Sequence, residues 1–203
     1  MSQKTKLNIA YLGIVNSILY LLVVAGYFIT ETNMALTCWQ VVIIISAPVI
    51  LIVLLSILEN SDNTKISWKM AAISFMTCTT ALTGVSHFVN ITVTRNLEAN
   101  GINVPDYFKI GQLPSVQWAI DYLAWGFFMG LAFIFTAAAI SPTDTYMKRV
   151  RLTLIISGCL CLLGMSSPIF SNEILWFIAV VGYAIGTPVI CVQMISFYKK
   201  QSI

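Results

Sequence analysis

The sequence predicts an all-α protein, a polytopic transmembrane helix bundle with about six spans, and three observations carry that prediction. Of 203 residues, 58% are hydrophobic and only 9% are charged, whereas a soluble domain carries roughly 25% charged residues. The apolar residues come in runs of about 20, the length an α-helix needs to cross the hydrocarbon layer. The basic residues fall mainly on alternate connections between those runs, as the positive-inside rule requires.

The expected spans are 7–29, 37–58, 70–94, 116–140, 152–170 and 174–197, within a single membrane domain covering 1–203. The first run, starting at Leu7, is longer than the apolar region of a cleaved signal and is expected to remain as a span. The second, from Val41 to Leu58, is apolar on every face apart from its serines and Pro48. It does not alternate, which argues against a β-barrel strand. Lipid offers no partner to an unpaired backbone group, so a helix is the remaining solution. Pro48 in span two and Pro188 in span six are expected to kink their helices.

Nine of the eleven basic residues fall on one side: Lys4, Lys6, Lys65, Lys69, Lys148, Arg149, Arg151, Lys199 and Lys200. Only Arg95 and Lys109 fall on the other, with Glu31, Glu98, Asp106 and Glu173. Both termini are therefore expected in the cytoplasm, with the protein integral to the cell (plasma or inner) membrane. The net charge of +3 sits in short connections, so no nucleic-acid partner is expected. Membrane lipids are the expected surroundings, and Lys148, Arg149 and Arg151 form a cluster suited to anionic headgroups.

Span three carries the clearest pattern. Thr80, Thr83, His87, Asn90 and Thr94 recur at spacings of three and four, which keeps them on one helical face. A polar seam belongs against other helices or water, not lipid. His87 is the only histidine, and Arg95 follows at the outer end. In span four, Asp121 is the only acidic residue placed within a span, with Gln117 and Trp125 one turn to either side. His87 and Asp121 differ in expected depth by about 3 Å, so His87, Arg95 and Asp121 are expected to meet in one outward-facing pocket. Span one offers Asn16, Tyr20 and Tyr27 on a shared face to close it, and span six offers Trp176, Tyr183 and Thr187. The connection 95–115 includes Gly101, Pro105, Asp106, Lys109 and Gly111, and it is expected to cover the pocket as a binding loop.

The expected ligand-binding set is His87, Asp121, Arg95, Asn90, Thr83, Trp125, Gln117 and Tyr20. The bland reading is that His87 and Asp121 only tie two helices together. The aromatic residues near span ends are expected mostly as interfacial anchors. Gly126 with Gly130 and Gly182 with Gly186 are small-xxx-small pairs that let backbones approach, either within the chain or between protomers of a homo-oligomer. The five cysteines lie in or beside apolar runs and read as small buried hydrophobes. Asn90-Ile91-Thr92 matches a glycosylation acceptor but lies inside a span.

One histidine and one intramembrane acid cannot make an all-protein zinc site, and no phosphate-binding glycine loop or hydrolase motif is present. No cofactor is expected. Three functions remain open from sequence. The first is binding or transport of a small-molecule ligand through the pocket. The second is lipid chemistry with His87 as base and Asp121 as its orienter. The third is an accessory subunit that works through its glycine faces.

Overall fold

The computed structural model describes residues 1–109, 114–142, 144–172 and 174–201. Gly111 and Glu173 of the sequence analysis lie outside them. The described residues are helical with no strand, and six helices are long and apolar enough to cross a membrane. They are α1 (Gln3–Thr30), α2 (Asn33–Leu58), α3 (Asn63–Ala99), α4 (Val116–Ala139), α5 (Thr145–Phe170) and α6 (Ile174–Lys200).

Short polar side chains start the helices. Ser2, Thr32, Asp62, Ser115 and Asp144 each accept from a backbone N–H of the first helical turn beyond them, which satisfies donors the helix leaves unpaired. Glu31 ends α1 in the left-handed region (φ 49°) and Thr32 caps α2. Two residues thus reverse the chain.

Each helix packs on the next, and α6 closes back on α1, so the bundle is a ring in sequence order. Helices α2 and α4 are the most enclosed, with 61% of the apolar window of each buried, against 22% for α1. Leu54, Ile57, Met76, Phe133, Leu154 and Met194 are among the fully buried core side chains of the bundle.

The helices extend beyond the expected spans, chiefly at the face that carries both termini. There Lys4, Lys6, Lys69, Lys148, Arg149, Arg151, Lys199 and Lys200 lie on helical turns rather than in loops. About 20 residues suffice for the hydrocarbon layer, so the extra turns place these charges at headgroup depth. Gln3 donates to the Tyr198 carbonyl, Lys6 to Asn60, and the Tyr198 hydroxyl to the Ser56 carbonyl. The chain ends therefore share one face and are tied to α2.

The glycine pairs make close approaches inside the chain. A β-carbon at Gly126 would meet Met165 and the Cys161 carbonyl, and one at Gly130 would meet Leu162 and the Gly158 carbonyl. On α6, Gly182 and Gly186 abut Ser157 of α5. Both pairs thus seat α5 between α4 and α6. Pro48 lies within an unbroken α2. Pro188 has no N–H to give Ala184, and the turn ending just before it, Val181–Ile185, is a π-helix.

Candidate functional site

The polar seam of α3 faces inward. Thr83, His87, Asn90 and Thr94 are buried, and Ser86 and Thr79 join them. His87 Nε2 lies 3.0 Å from Asp121 Oδ1 of α4. The two partners differ in surroundings: the His87 side chain is 4% exposed and that of Asp121 is 30% exposed. One side of the carboxylate is held by the imidazole and the other is open.

That open side borders a cavity near the face opposite the termini. Helix α3 contributes His87, and α4 contributes Gln117, Trp118, Asp121, Tyr122 and Trp125. Helix α1 contributes Tyr20, α2 contributes Trp39, Gln40 and Ile43, and α6 contributes Trp176 and Tyr183. The Tyr20 and Tyr183 hydroxyls are 3.0 Å apart and close one side. The Trp125 ring lies 4.9 Å from that of Tyr183, and the Trp118 ring 6.0 Å from that of Trp176. The empty space around these side chains is about 530 Å³, counting what is open to the outside. It is narrow, however, and only about 30 Å³ can hold the centre of a water molecule. That is room for two or three waters.

Four of the five tryptophans line this cavity. Trp39 and Trp125 are buried there, and Trp118 and Trp176 are half-buried. Trp68, 46% exposed near the terminal face, remains a candidate anchor.

Three amides form a directed chain at the cavity wall. Gln117 Nε2 donates to the Ser86 carbonyl (2.7 Å), Asn90 Nδ2 to Gln117 Oε1 (2.8 Å), and Gln40 Nε2 to Asn90 Oδ1 (2.7 Å). The backbone carbonyl can only accept, so it sets the direction of the whole chain. The chain ends on Gln40 Oε1, which is buried and has no partner. His87 Nδ1 is likewise buried and unpartnered.

Among the eight expected residues, His87, Asp121, Gln117, Trp125 and Tyr20 line this cavity. Arg95, Asn90 and Thr83 do not. Thr83 is fully buried with an unpartnered hydroxyl. Asn90 acts through the amide chain. Arg95 donates to Thr37 of α2 and lines a second cavity with Asn33, Gln40, Asn90, Thr94, Glu98 and Lys109. The expected meeting of Arg95 with His87 and Asp121 is therefore corrected. Its reason is distance along the helix: Arg95 lies eight residues beyond His87, about 12 Å along the axis, where it reaches Thr37 and not Asp121. The described part of the 95–115 connection reaches the second cavity through Glu98 and Lys109, and none of it lines the first.

Trp39 and Gln40 were missed by sequence reasoning. The available signal was a lone glutamine in an apolar run, where an unpaired amide would cost several kcal/mol. The π turns were missed as well. They lie at Asn90–Thr94, Leu123–Phe128 and Val181–Ile185, and they carry Asn90, Trp125 and Tyr183. Such turns are rare and concentrate at functional sites. No group of three or more metal-binding side chains occurs among the described residues. Comparison with protein families, with characterised proteins and with solved structures finds no match to this chain.

Proposed function

We propose that this multi-pass membrane protein binds a small ligand, and admits it to the bundle, through the cavity between α3 and α4. In this reading, which the excess of basic residues on one side supports, both termini lie in the cytoplasm and the protein sits in the plasma (inner) membrane. The cavity then opens toward the outside. The observation that supports this reading best is the half-open Asp121 carboxylate. It is bonded to the buried His87 on one side and borders an aromatic-walled cavity on the other. Asp121 thus keeps acceptor capacity that His87 does not use and that a ligand carrying a donor can take.

Catalysis is less well supported by the same geometry. A base and its orienter need a nucleophile or an activated water held at hydrogen-bond distance, and the free ring nitrogen has no partner. Thermal unfolding of the purified protein against a panel of small polar compounds tests the binding reading. A ligand that raises the melting temperature of the wild type and not of Asp121→Asn supports it. A panel in which every stabilising compound acts equally on both proteins contradicts it.

A further inference from the structure

The cavity has two chemical features that narrow its ligand: aromatic walls and an excess of hydrogen-bond acceptors. Resting on the reading that this cavity is a ligand site, we propose that its ligand is a small ammonium cation that still carries N–H donors. The ammonium would be held by Asp121 and Gln40 among the aromatic rings.

The excess of acceptors is a consequence of the bonds already made. An ionised carboxylate only accepts, so in the neutral imidazole Nε2 carries the proton given to Asp121, and Nδ1 is left as a bare acceptor. The amide chain starts at a backbone carbonyl and leaves Gln40 Oε1 as another acceptor without a partner. Asp121 has an open side. A buried acceptor left unmade costs about 1–3 kcal/mol, so a ligand rich in donors gains where an acceptor-only ligand loses.

The aromatic walls favour the same ligand independently. Trp39, Trp118, Trp125 and Trp176 surround the one carboxylate, with Tyr20 and Tyr183 closing the far side. Ring faces carry negative charge and attract cations, most strongly at tryptophan. An anion would meet Asp121 and these rings unfavourably. Arg95 and Lys109, the only basic residues at this end, line the other cavity. The narrow free space limits the ligand to a slim head of a few heavy atoms.

Two sources offer such a head: a free amine and an aminophospholipid headgroup. Tyr122 stands between this cavity and an apolar groove with Leu123, Met165, Pro168 and Ile169 on the outer flank of α4 and α5.

The test uses the full chain with Trp68→Phe, so that all remaining tryptophan emission comes from the cavity wall. The protein is held in nanodiscs of phosphatidylglycerol and titrated with ethylammonium, ethanol and acetate. A three-atom ligand binds at best with about −4.5 kcal/mol, or roughly 0.5 mM, so each titration runs to about 100 mM. The expected result is a saturable emission change with ethylammonium alone. It should weaken about tenfold or more in Asp121→Asn and about two- to thirtyfold in Trp176→Leu. Either variant suffices, provided it stays monodisperse. Repeating the titration with phosphatidylethanolamine in the disc separates the sources. Competition identifies the lipid headgroup and unchanged binding identifies a free amine, and both support an ammonium ligand. Saturation by ethanol or acetate with no response to ethylammonium overturns the cation assignment and leaves the cavity standing as a binding site. No saturable response to any of the three overturns both.

Discussion

The aromatic cavity and its polar neighbour share Gln40 yet hold charge of opposite sign. The first contains Asp121 among tryptophan and tyrosine rings. The second contains Arg95 and Lys109 with Glu98, Asn33 and Thr37, and it is wetter, with about 110 Å³ able to hold water centres against about 30 Å³. The chain Gln40–Asn90–Gln117 stands between them. Amides conduct no net charge, so they separate a carboxylate from a guanidinium without letting the two collapse into an ion pair. The contrast teaches that the nearness of charges along a helix does not decide which space they serve. Eight residues of α3, about 12 Å of rise, set His87 at one cavity and Arg95 at the other.

The largest expected effect is on the aromatic cavity. Asp121→Asn should weaken ammonium binding at least about tenfold, because a hydrogen bond to a charged group is worth about 1.5–3 kcal/mol. Titration by tryptophan emission checks it. The matching change next door, Arg95→Gln, should leave that affinity within about twofold. Equal losses in both variants would merge the two cavities into one site and break the comparison.

Next comes the wall. Gln117→Leu removes the acceptor of Asn90 Nδ2 and leaves that buried donor unpaired, at a cost of about 1–3 kcal/mol. Thermal unfolding should show a lower midpoint than wild type. An unchanged midpoint would mean that the amide chain holds nothing in place.

Much of this was legible in the sequence, and the failures have physical causes. The six spans follow from length and charge alone. The inward seam of α3 follows from spacing, and the placing of His87 beside Asp121 follows from matched depth. Gln40 and Trp39 escaped because α2 is apolar on its exposed and its buried faces alike, so no amphipathic pattern distinguishes one side. Arg95 was placed wrongly because its position at the outer end of the seam was taken as nearness to His87, although eight residues, about 12 Å of helix, separate them. Gly126, Gly130, Gly182 and Gly186 were found, but their common partner α5 was not, because a small residue shows that something comes close and does not say which element it is.

The smallest effect lies at the far end of the molecule and serves as a contrast to both cavities. Glu59 bonds the N-terminal ammonium and Lys6, and these contacts hold its carboxyl below the usual glutamate range. A carboxylate with a lowered folded pKa stabilises above its unfolded pKa and loses that contribution as pH falls through the folded value. The pair is exposed, so the effect is slight. The wild type should melt slightly above Glu59→Gln at pH 7, and the difference should shrink toward pH 3. Ammonium binding at neutral pH should be the same in both.

The most direct measurement is an experimental structure of the protein in a lipid nanodisc with saturating ethylammonium. The expected result is density between the Asp121 carboxylate and the rings of Trp125 and Trp176, with its nitrogen about 2.7–3.2 Å from a carboxylate oxygen. Density found only beside Arg95 and Lys109, or an aromatic cavity holding nothing but water under those conditions, would contradict it.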